Sequence, residues 1–569
     1  MERTFPKFGY NPVTGEWNDS LLGDFLWSSV NVSEAVPDVM TPSTWSLWWI
    51  YHYETNPFEF PGDFPFCGNI CGRPYLNLSL IASLYRAVGK DVRKELQGDM
   101  IGSAPAGLDI PFIPFSPLAV LWKALPGMLK AQWNTSRDNK IIPEFLAAMP
   151  GWCRTARITI QNCPDASSLL CLWKRTIKPN VVRACSLLRS VTMSLADPAT
   201  KLRLDLTTLI GETDANASLS NLSGSSGDLA SLGPLLGLAQ EVNGKMSRDI
   251  YLERYGHRSP HEMELFAPGS DDDPAWFEKQ LGQFTQSAVN VDALLAKQRA
   301  EYIAAWRRFE ARFPAKVRST RRQLEKVAAA AKNREAVRSE VTRITRLIRL
   351  FLLRVGELTG LGEGIFFLSL DELTDVLAGD RTSVTSIPAR RETYQRYSAL
   401  PPYPAIIIGR FDPFAWAADP NRRSDIFDSR QVKLEPVTAA ITGFAGAAGI
   451  VEGIVRRLDQ LEDSSQLQLG EILVTVTTNV GWTPLFPRLA AIVTDVGAPL
   501  SHAAIVAREM GIPAVVGCGN ATMLLKTGDR VRVDGGRGVV EIITNPPGAP
   551  KTGRVCFNSH LDGCAPCSS

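Results

Sequence analysis

The sequence predicts a multidomain α plus α/β protein: a large, mostly helical part over residues 1–430, a compact α/β domain over 438–545 and a mobile tail over 546–569. Three observations predict it. The length, 569 residues, is about four times the ~150 of an ordinary domain. Apolar residues recur at mostly helical spacing from about 115 to 250 and again from 284 to 358. From Thr438 onward the texture changes to short β-branched runs bounded by glycine, such as GEILVTV, LAAIVTD, PAVVG and DRVRVDGGRGVVEI.

Composition narrows the possibilities. Apolar residues make up 45% and charged residues 21% of the chain, which excludes disorder throughout and a collagen-like repeat. Lys plus Arg (61) nearly cancels Asp plus Glu (59), so no whole-chain field calls for a nucleic-acid or anionic-membrane partner. The opening MERTFPKFGYNPVTGEWNDS lacks the apolar core of a secretory signal, and a cytoplasmic location is expected. Residues 110–133 are apolar but interrupted by Pro111, Pro114, Pro117, Lys123 and Pro126; a buried helix and loop is expected there, not a membrane span.

Element by element, residues 1–90 are rich in aromatics, Pro and Gly and read as loop-rich, with Met40, Trp45 and Trp48 either lining a large apolar pocket or packed in a core. NLSGSSGDLASLG marks a surface loop. Residues 284–358 read as basic amphipathic helices, with Ile344, Leu347, Ile348 and Phe351 as the apolar stripe and the arginines as a solvated face. Ten cysteines are too few for a disulfide scaffold. Cys67 and Cys71 fall in a glycine-rich turn, and Cys556, His560, Cys564 and Cys567 sit in a tail with no apolar pattern to hold them, so no metal is expected.

The chemistry concentrates in LAAIVTDVGAPLSHAAIVAREMGIPAVVG. Residues 490–495 read as a buried strand, 496–500 as a turn, His502–Met510 as a helix with Ser501 as N-cap and Gly511 as its stop, and 513–516 as a second strand. His502 then stands in the first turn of a helix, where free N–H groups and the positive end of the dipole disfavour imidazolium. A neutral imidazole there can act as a nucleophile, and a phosphoryl group on it would be cradled by the same N–H groups. A capping or packing histidine would occupy the same place. Thr494 and Ser501 can donate hydrogen bonds to phosphoryl oxygens. Arg508 can support the phosphate or serve an interface. In YGHRSPHE, His257, Arg258 and Glu262 can bind or deprotonate an acceptor hydroxyl, or form a buried ion-pair cluster.

The segment from Thr438 to Ile543 resembles the swivelling phosphohistidine domain of the phosphoenolpyruvate-utilising enzymes. Their motif runs Thr, two residues, two glycines, a short gap, Ser or Cys, then His, followed by an apolar helix and a GIPAVVG-like strand. Thr494, Gly497, Ser501, His502, Ala503, Arg508, Glu509, Gly511, Ile512 and Pro513 match it; Ala498 stands where the second glycine would be, and an alanine would be strained if that position required positive φ. Residues 20–430, through NDSLLGDFLWSSVNVSEAVPDVMTPSTWSLW, CGRPYLNLS, YLERYGHRSPHEMEL and IPARRETY, resemble the helical substrate-binding domain of the rifampicin phosphotransferase type.

The resemblance implies a compact swivelling β/β/α domain that carries phosphoryl on His502 to a small, apolar hydroxyl- or carboxyl-bearing acceptor held by the helical part. Thr494, Gly497, Ser501 and Arg508 would support the phosphoryl group. His257, Arg258, Glu262, Trp45 and Trp48 would meet the acceptor. No P-loop pattern GxxxxGK[ST] occurs, so the expectation is that this chain binds no cofactor itself and that ATP and Mg are held by an ATP-grasp-type partner protein. A small-molecule binder or scaffold without the ATP domain, and a ligase that activates its substrate by phosphorylation, are the alternatives.

Overall fold

The computed structural model describes residues 9–543, apart from 31, 60–61, 93–95, 97–99, 101–107, 220–231, 271, 286–290, 431–440 and 500. The tail with its Cys and His residues, the NLSGSSGDLAS loop and most of the expected domain boundary lie outside the described residues.

Three long helical stretches, Pro117–Gln161, Lys178–Leu219, which is broken at Gly211 (φ 79°, ψ 168°), and Val317–Thr359, build the body of the N-terminal part. Their shared core includes Phe145, Ile160, Ile177, Ile344, Leu347, Ile348, Phe351 and Leu352, and Trp173 stacks on Phe351 with ring centroids 5.1 Å apart. The predicted stripe on Val317–Thr359 is therefore the buried one, at the i, i+3, i+4, i+7 spacing that puts side chains on one helix face. Its arginines are not simply a solvated face. Arg346 and Arg349 are buried, reaching Asp272 and the carbonyls of Leu265, Phe266 and Ala267.

The Pro117–Gln161 helix departs from expectation in the other direction. Leu118, Trp122, Met128, Leu129 and Trp133 are exposed, Trp122 by 83%. Among the described side chains of its first part, residues 117–133, a narrow stripe of Val120, Gly127 and Ala131 is buried and the apolar residues on the other faces stay in solvent, whereas Ile142, Phe145, Met149, Cys153, Ala156 and Ile160 further on face the shared core. No helix among the described residues is long and apolar enough to cross a membrane.

A five-stranded sheet, which sequence periodicity did not reveal, ties the two ends of the helical part together. Its order is β2 (Cys67–Ile70), β3 (Arg73–Asn77), β1 (Leu26–Ser28), β4 (Ile406–Ile408) and β5 (Ile426–Asp428). β1 pairs antiparallel with both β3 and β4, and β4 runs parallel to β5. The CGNICG run is a hairpin: Ile70 pairs with Arg73 across Cys71 (φ 50°) and Gly72 (φ 86°), the left-handed pair that a tight two-residue turn requires.

The second sheet has eight strands, all between Ile441 and Ile542, in the order β6 (Ile441–Thr442), β13 (Val539–Ile542), β12 (Arg530–Asp534), β8 (Ile450–Arg457), β9 (Ile472–Thr475), β10 (Ala491–Thr494), β11 (Ala514–Val516) and β7 (Phe444–Ala447). β8, β9, β10 and β11 run parallel to one another, and β9, β10 and β11 are fully buried and apolar up to Thr475 and Thr494 at the ends of β9 and β10, as strands covered on both faces are. One face of this sheet shares a core with the helical part: Leu235, Leu238, Tyr251, Phe277 and Phe284 pack with Leu485, Phe486, Ala503, Ala507 and Met510. Val496 inserts into a further shared core with Val30, Val36 and Met40.

Candidate functional site

The site grows from the C-terminal end of β10. The chain leaves the sheet at Thr494, turns, and re-enters helix at His502. Ser501 is extended (φ −69°, ψ 160°), and its Oγ accepts the Ala504 N–H at 3.3 Å. At the other end Gly511 stops the helix in the left-handed region (φ 69°). Ser501→Ala is expected to destabilise the domain by about 1 kcal/mol, the usual worth of such a cap, as read by urea unfolding; an unchanged midpoint would show that the cap contributes nothing.

Gly497 has φ 149°, and a Cβ there would stand 3.2 Å from Ser501 Oγ and 3.3 Å from Thr494 Oγ1, so the turn closes around these two hydroxyls. Ala498 carries no strain: among the described non-glycine residues only Cys71 has positive φ. The second glycine of the motif is therefore not required by this turn.

The His502 ring is held at both nitrogens. Thr478 Oγ1 lies 3.1 Å from Nδ1 and Thr483 Oγ1 lies 3.2 Å from Nε2, with Phe486 edge-on at 5.7 Å. A hydroxyl can donate to the lone pair and accept from the N–H, so the two threonines hold either tautomer of a neutral ring. Burial, followed by the charges of Arg338 and Arg258, holds the imidazole well below its ordinary pKa. The His502 backbone N–H, one of the unpaired donors of the helix start, donates to Glu34 Oε2 at 3.1 Å.

The YGHR loop of the helical part lies against the same segment. Asn479 Nδ2 donates to the Pro260 carbonyl at 2.6 Å, and Gly481 touches Pro260 so closely that a Cβ would lie 2.5 Å from the proline Cγ. Arg258 Nε donates to Glu262 Oε2 at 2.8 Å, and Arg338 Nη2 lies 3.6 Å from Glu262 Oε1. His257 Nε2 sits 2.8 Å from Ser339 Oγ; burial, then Arg343 and Arg258, keep it well below the ordinary histidine pKa.

The remaining expected residues lie elsewhere. Thr494 Oγ1 is buried and hydrogen-bonds to no described group. Arg508, expected beside the phosphoryl group, instead donates from Nη2 to the carbonyls of Gly446 (2.7 Å) and Pro499 (2.9 Å), bracing the turn that leads into the helix. Burial lowers it to about 10. Trp45 and Trp48 are core residues: both are buried with Met40, Trp45 meets Trp17 edge-on at 5.6 Å, and Trp48 stacks on His52 at 5.2 Å. A cavity of ≈ 680 Å³ opens elsewhere, among Tyr10, Trp17, Asp19, Leu22, Arg396 and Phe414, and none of the expected site residues borders it. Among the described residues no group of three or more His, Cys, Asp or Glu is placed to hold a metal.

Sequence reasoning missed Thr478, Thr483, Glu34 and Arg338. The two threonines stand in TTNVGWTP, whose polar residues carry no periodic pattern. Glu34 is 468 positions from its partner, and no local signal links the two.

Residues 467–538 match the model of the PEP-utilising enzyme mobile domain. A rifampicin phosphotransferase of Bacillus cereus is 35% identical over 181 residues, covering 32% of this chain and 19% of its own. A probable phosphoenolpyruvate synthase of Staphylothermus marinus is 42% identical over 122 residues, 21% of this chain and 15% of its own. A prodigiosin-synthesising transferase of Serratia marcescens is 30% identical over 314 residues, 51% of this chain and 33% of its own. The chain thus spans a third or less of the length of these relatives. With the histidine helix, its Thr–Ser turn and these matches together, residues 467–538 are a PEP-utilising enzyme mobile domain, and the chain around them is similar to rifampicin phosphotransferases.

Proposed function

We propose that this chain transfers phosphoryl groups through a covalent phosphohistidine at His502, taking the group from an ATP-derived donor and passing it to a small hydroxyl- or carboxyl-bearing acceptor. The observation that carries this reading is a buried, neutral imidazole at a helix start, gripped at both nitrogens by Thr478 and Thr483. In the first step the ring lone pair attacks phosphorus, an N–P bond forms and the donor P–O bond breaks. In the second, the acceptor oxygen attacks, the N–P electron pair returns to the ring, and the acceptor proton leaves. The donor is an ATP-grasp-type unit with ATP and Mg, and the domain carrying His502 swivels between that unit and the helical part. No nucleic acid or membrane takes part.

Packing of the YGHR loop on the histidine segment supports reading the described arrangement as the acceptor-side position of the carrier. A ligase that phosphorylates its substrate before condensation is the second reading, favoured by the match to the prodigiosin-synthesising transferase over half of the chain. Product analysis separates the two: phosphorylated acceptor against condensed product.

The test is incubation with ATP, Mg²⁺ and an ATP-grasp donor unit, followed by mass spectrometry under alkaline conditions. An acid-labile phosphoryl adduct on His502, absent from His502→Ala, is expected. Labelling that survives His502→Ala would overturn the assignment.

A further inference from the structure

The start of the histidine helix is already occupied. Its first N–H is taken by the carboxylate of Glu34, which reaches across from the helical part. In chemistry and position this carboxylate stands where an anion bound at a helix N-terminus would stand. A second feature points to an anion independently: Arg258 is 3% exposed, yet its Nη1 and Nη2 groups donate to no described acceptor. Only its Nε is used, on Glu262. An arginine normally spends its paired donors on carboxylate or phosphate, and burying them unused is costly. Arg338 lies on the other oxygen of Glu262, so two guanidiniums flank one carboxylate beside the His502 segment.

We propose that Glu34 is a stand-in for the phosphoryl group: while His502 is empty, its carboxylate holds an anion seat made by the His502 N–H, Arg258 and Arg338, and it yields that seat when a phosphorylated His502 docks. The ligand class is a phosphoryl dianion, on the histidine or as free inorganic phosphate.

Charge counting supports the exchange. Arg258, Arg334 and Arg338 stand with Glu262, Glu335 and Glu34, whose carboxyl burial raises to about 7, so above neutrality three cations meet three anions. The empty carrier therefore docks into a balanced interface. A phosphoryl group would add about two negative charges, and an unchanged Glu34 would then lie beside it with its repulsion unscreened by water. Releasing Glu34 removes one of those charges and frees the helix N–H for a phosphoryl oxygen. The unused Arg258 donors would then gain their acceptor. Glu34 thereby favours docking of the spent carrier and opposes docking of the loaded one until it is displaced.

The inference rests on the phosphohistidine reading, but its test does not require His502 to be phosphorylated. Binding of inorganic phosphate to the full chain is followed by calorimetry and ³¹P line broadening. Removing the competing carboxylate in Glu34→Ala is expected to tighten phosphate binding at least about tenfold, and the isosteric Glu34→Gln, which keeps a neutral acceptor, to give an intermediate gain. Adding Arg258→Gln to Glu34→Ala is expected to abolish the gain. Circular dichroism confirms that each variant is folded. Equal phosphate affinity in wild type and both folded Glu34 variants would overturn the proposal, as would tight binding that persists without Arg258. A chain that binds phosphate as expected but never acquires an adduct on His502 would overturn the carrier reading alone.

Discussion

Gly481→Leu is expected to lift the histidine-bearing domain off the helical part. Gly481 is buried at the junction, its N–H bonded to Asn479 Oδ1 at 3.0 Å, while the Asn479 side chain holds the Pro260 carbonyl. A Cβ at position 481 would lie 2.5 Å from Pro260 Cγ, 2.7 Å from its Cα and 2.9 Å from its Cβ. These atoms belong to a ring and a backbone, and cannot swing aside as the end of a long side chain can. Overpacking at such a point costs about 1–3 kcal/mol even where the surroundings adjust, and here the simplest adjustment is separation of the two surfaces. Small-angle scattering should show a larger radius of gyration with helix content unchanged, and phosphoryl transfer to the acceptor should fall while loading of His502 persists. Gly282→Ala, at a helical glycine with nothing within 4 Å of the added carbon, is the control. Unchanged scattering in Gly481→Leu would show that this contact does not govern docking.

The histidine motif was legible because its determinants are local. Ser501, His502 and Gly511 fall within eleven residues, and cap, dipole and stop are set by neighbours in the chain. The long basic helix was legible in its apolar stripe but not in its arginines. Periodicity says which face is apolar; it does not say that Arg346 and Arg349 will find Asp272 and a run of carbonyls from another segment. The first sheet escaped for a similar reason. β1, β4 and β5 are three residues each, too short for a period of two to register, and their pairing joins segments nearly 400 positions apart.

The same distance hid the site's second half. Glu34 meets His502 only after the helical part and the second sheet have packed together, and Arg338 reaches it from the middle of a helix whose charges read as solvent-facing. Trp45 and Trp48 show the converse limit. An aromatic cluster announces a large apolar contact, but whether a ligand or neighbouring side chains fill it depends on packing, and here neighbours do.

Stability is expected to rise as pH falls from 8 to about 6.5, by about 1 kcal/mol net. Asp19, Glu34 and Glu264 are each pushed up to about 7 by burial, and Asp495 to about 6, whereas in the unfolded chain such groups titrate near 4. Between about pH 4 and 7 the native state therefore binds protons that the unfolded state does not, and stability is lost as pH rises through the folded values. The buried histidines act with the opposite sign. His52, His257 and His502 are held neutral, well below their ordinary pKa, so from about pH 7.5 downward the unfolded chain takes up protons that the native chain refuses. The carboxyls outweigh the imidazoles from pH 8 to 6.5, but the imidazoles take back about half of what the carboxyls alone would give. Thermal melting across pH 5 to 8 should place the maximum on the acid side of neutrality, with the melting temperature at pH 6.5 about one degree above that at pH 8. Glu264 receives hydrogen bonds from Thr41, Thr44 and Phe266, and Glu264→Gln should remove about a third of the carboxyl contribution, leaving a nearly flat profile between pH 6.5 and 8. A flat wild-type profile, or a higher melting temperature at pH 8 than at 6.5, would mean that these carboxylates are ionised in the native state and stabilised by their donors.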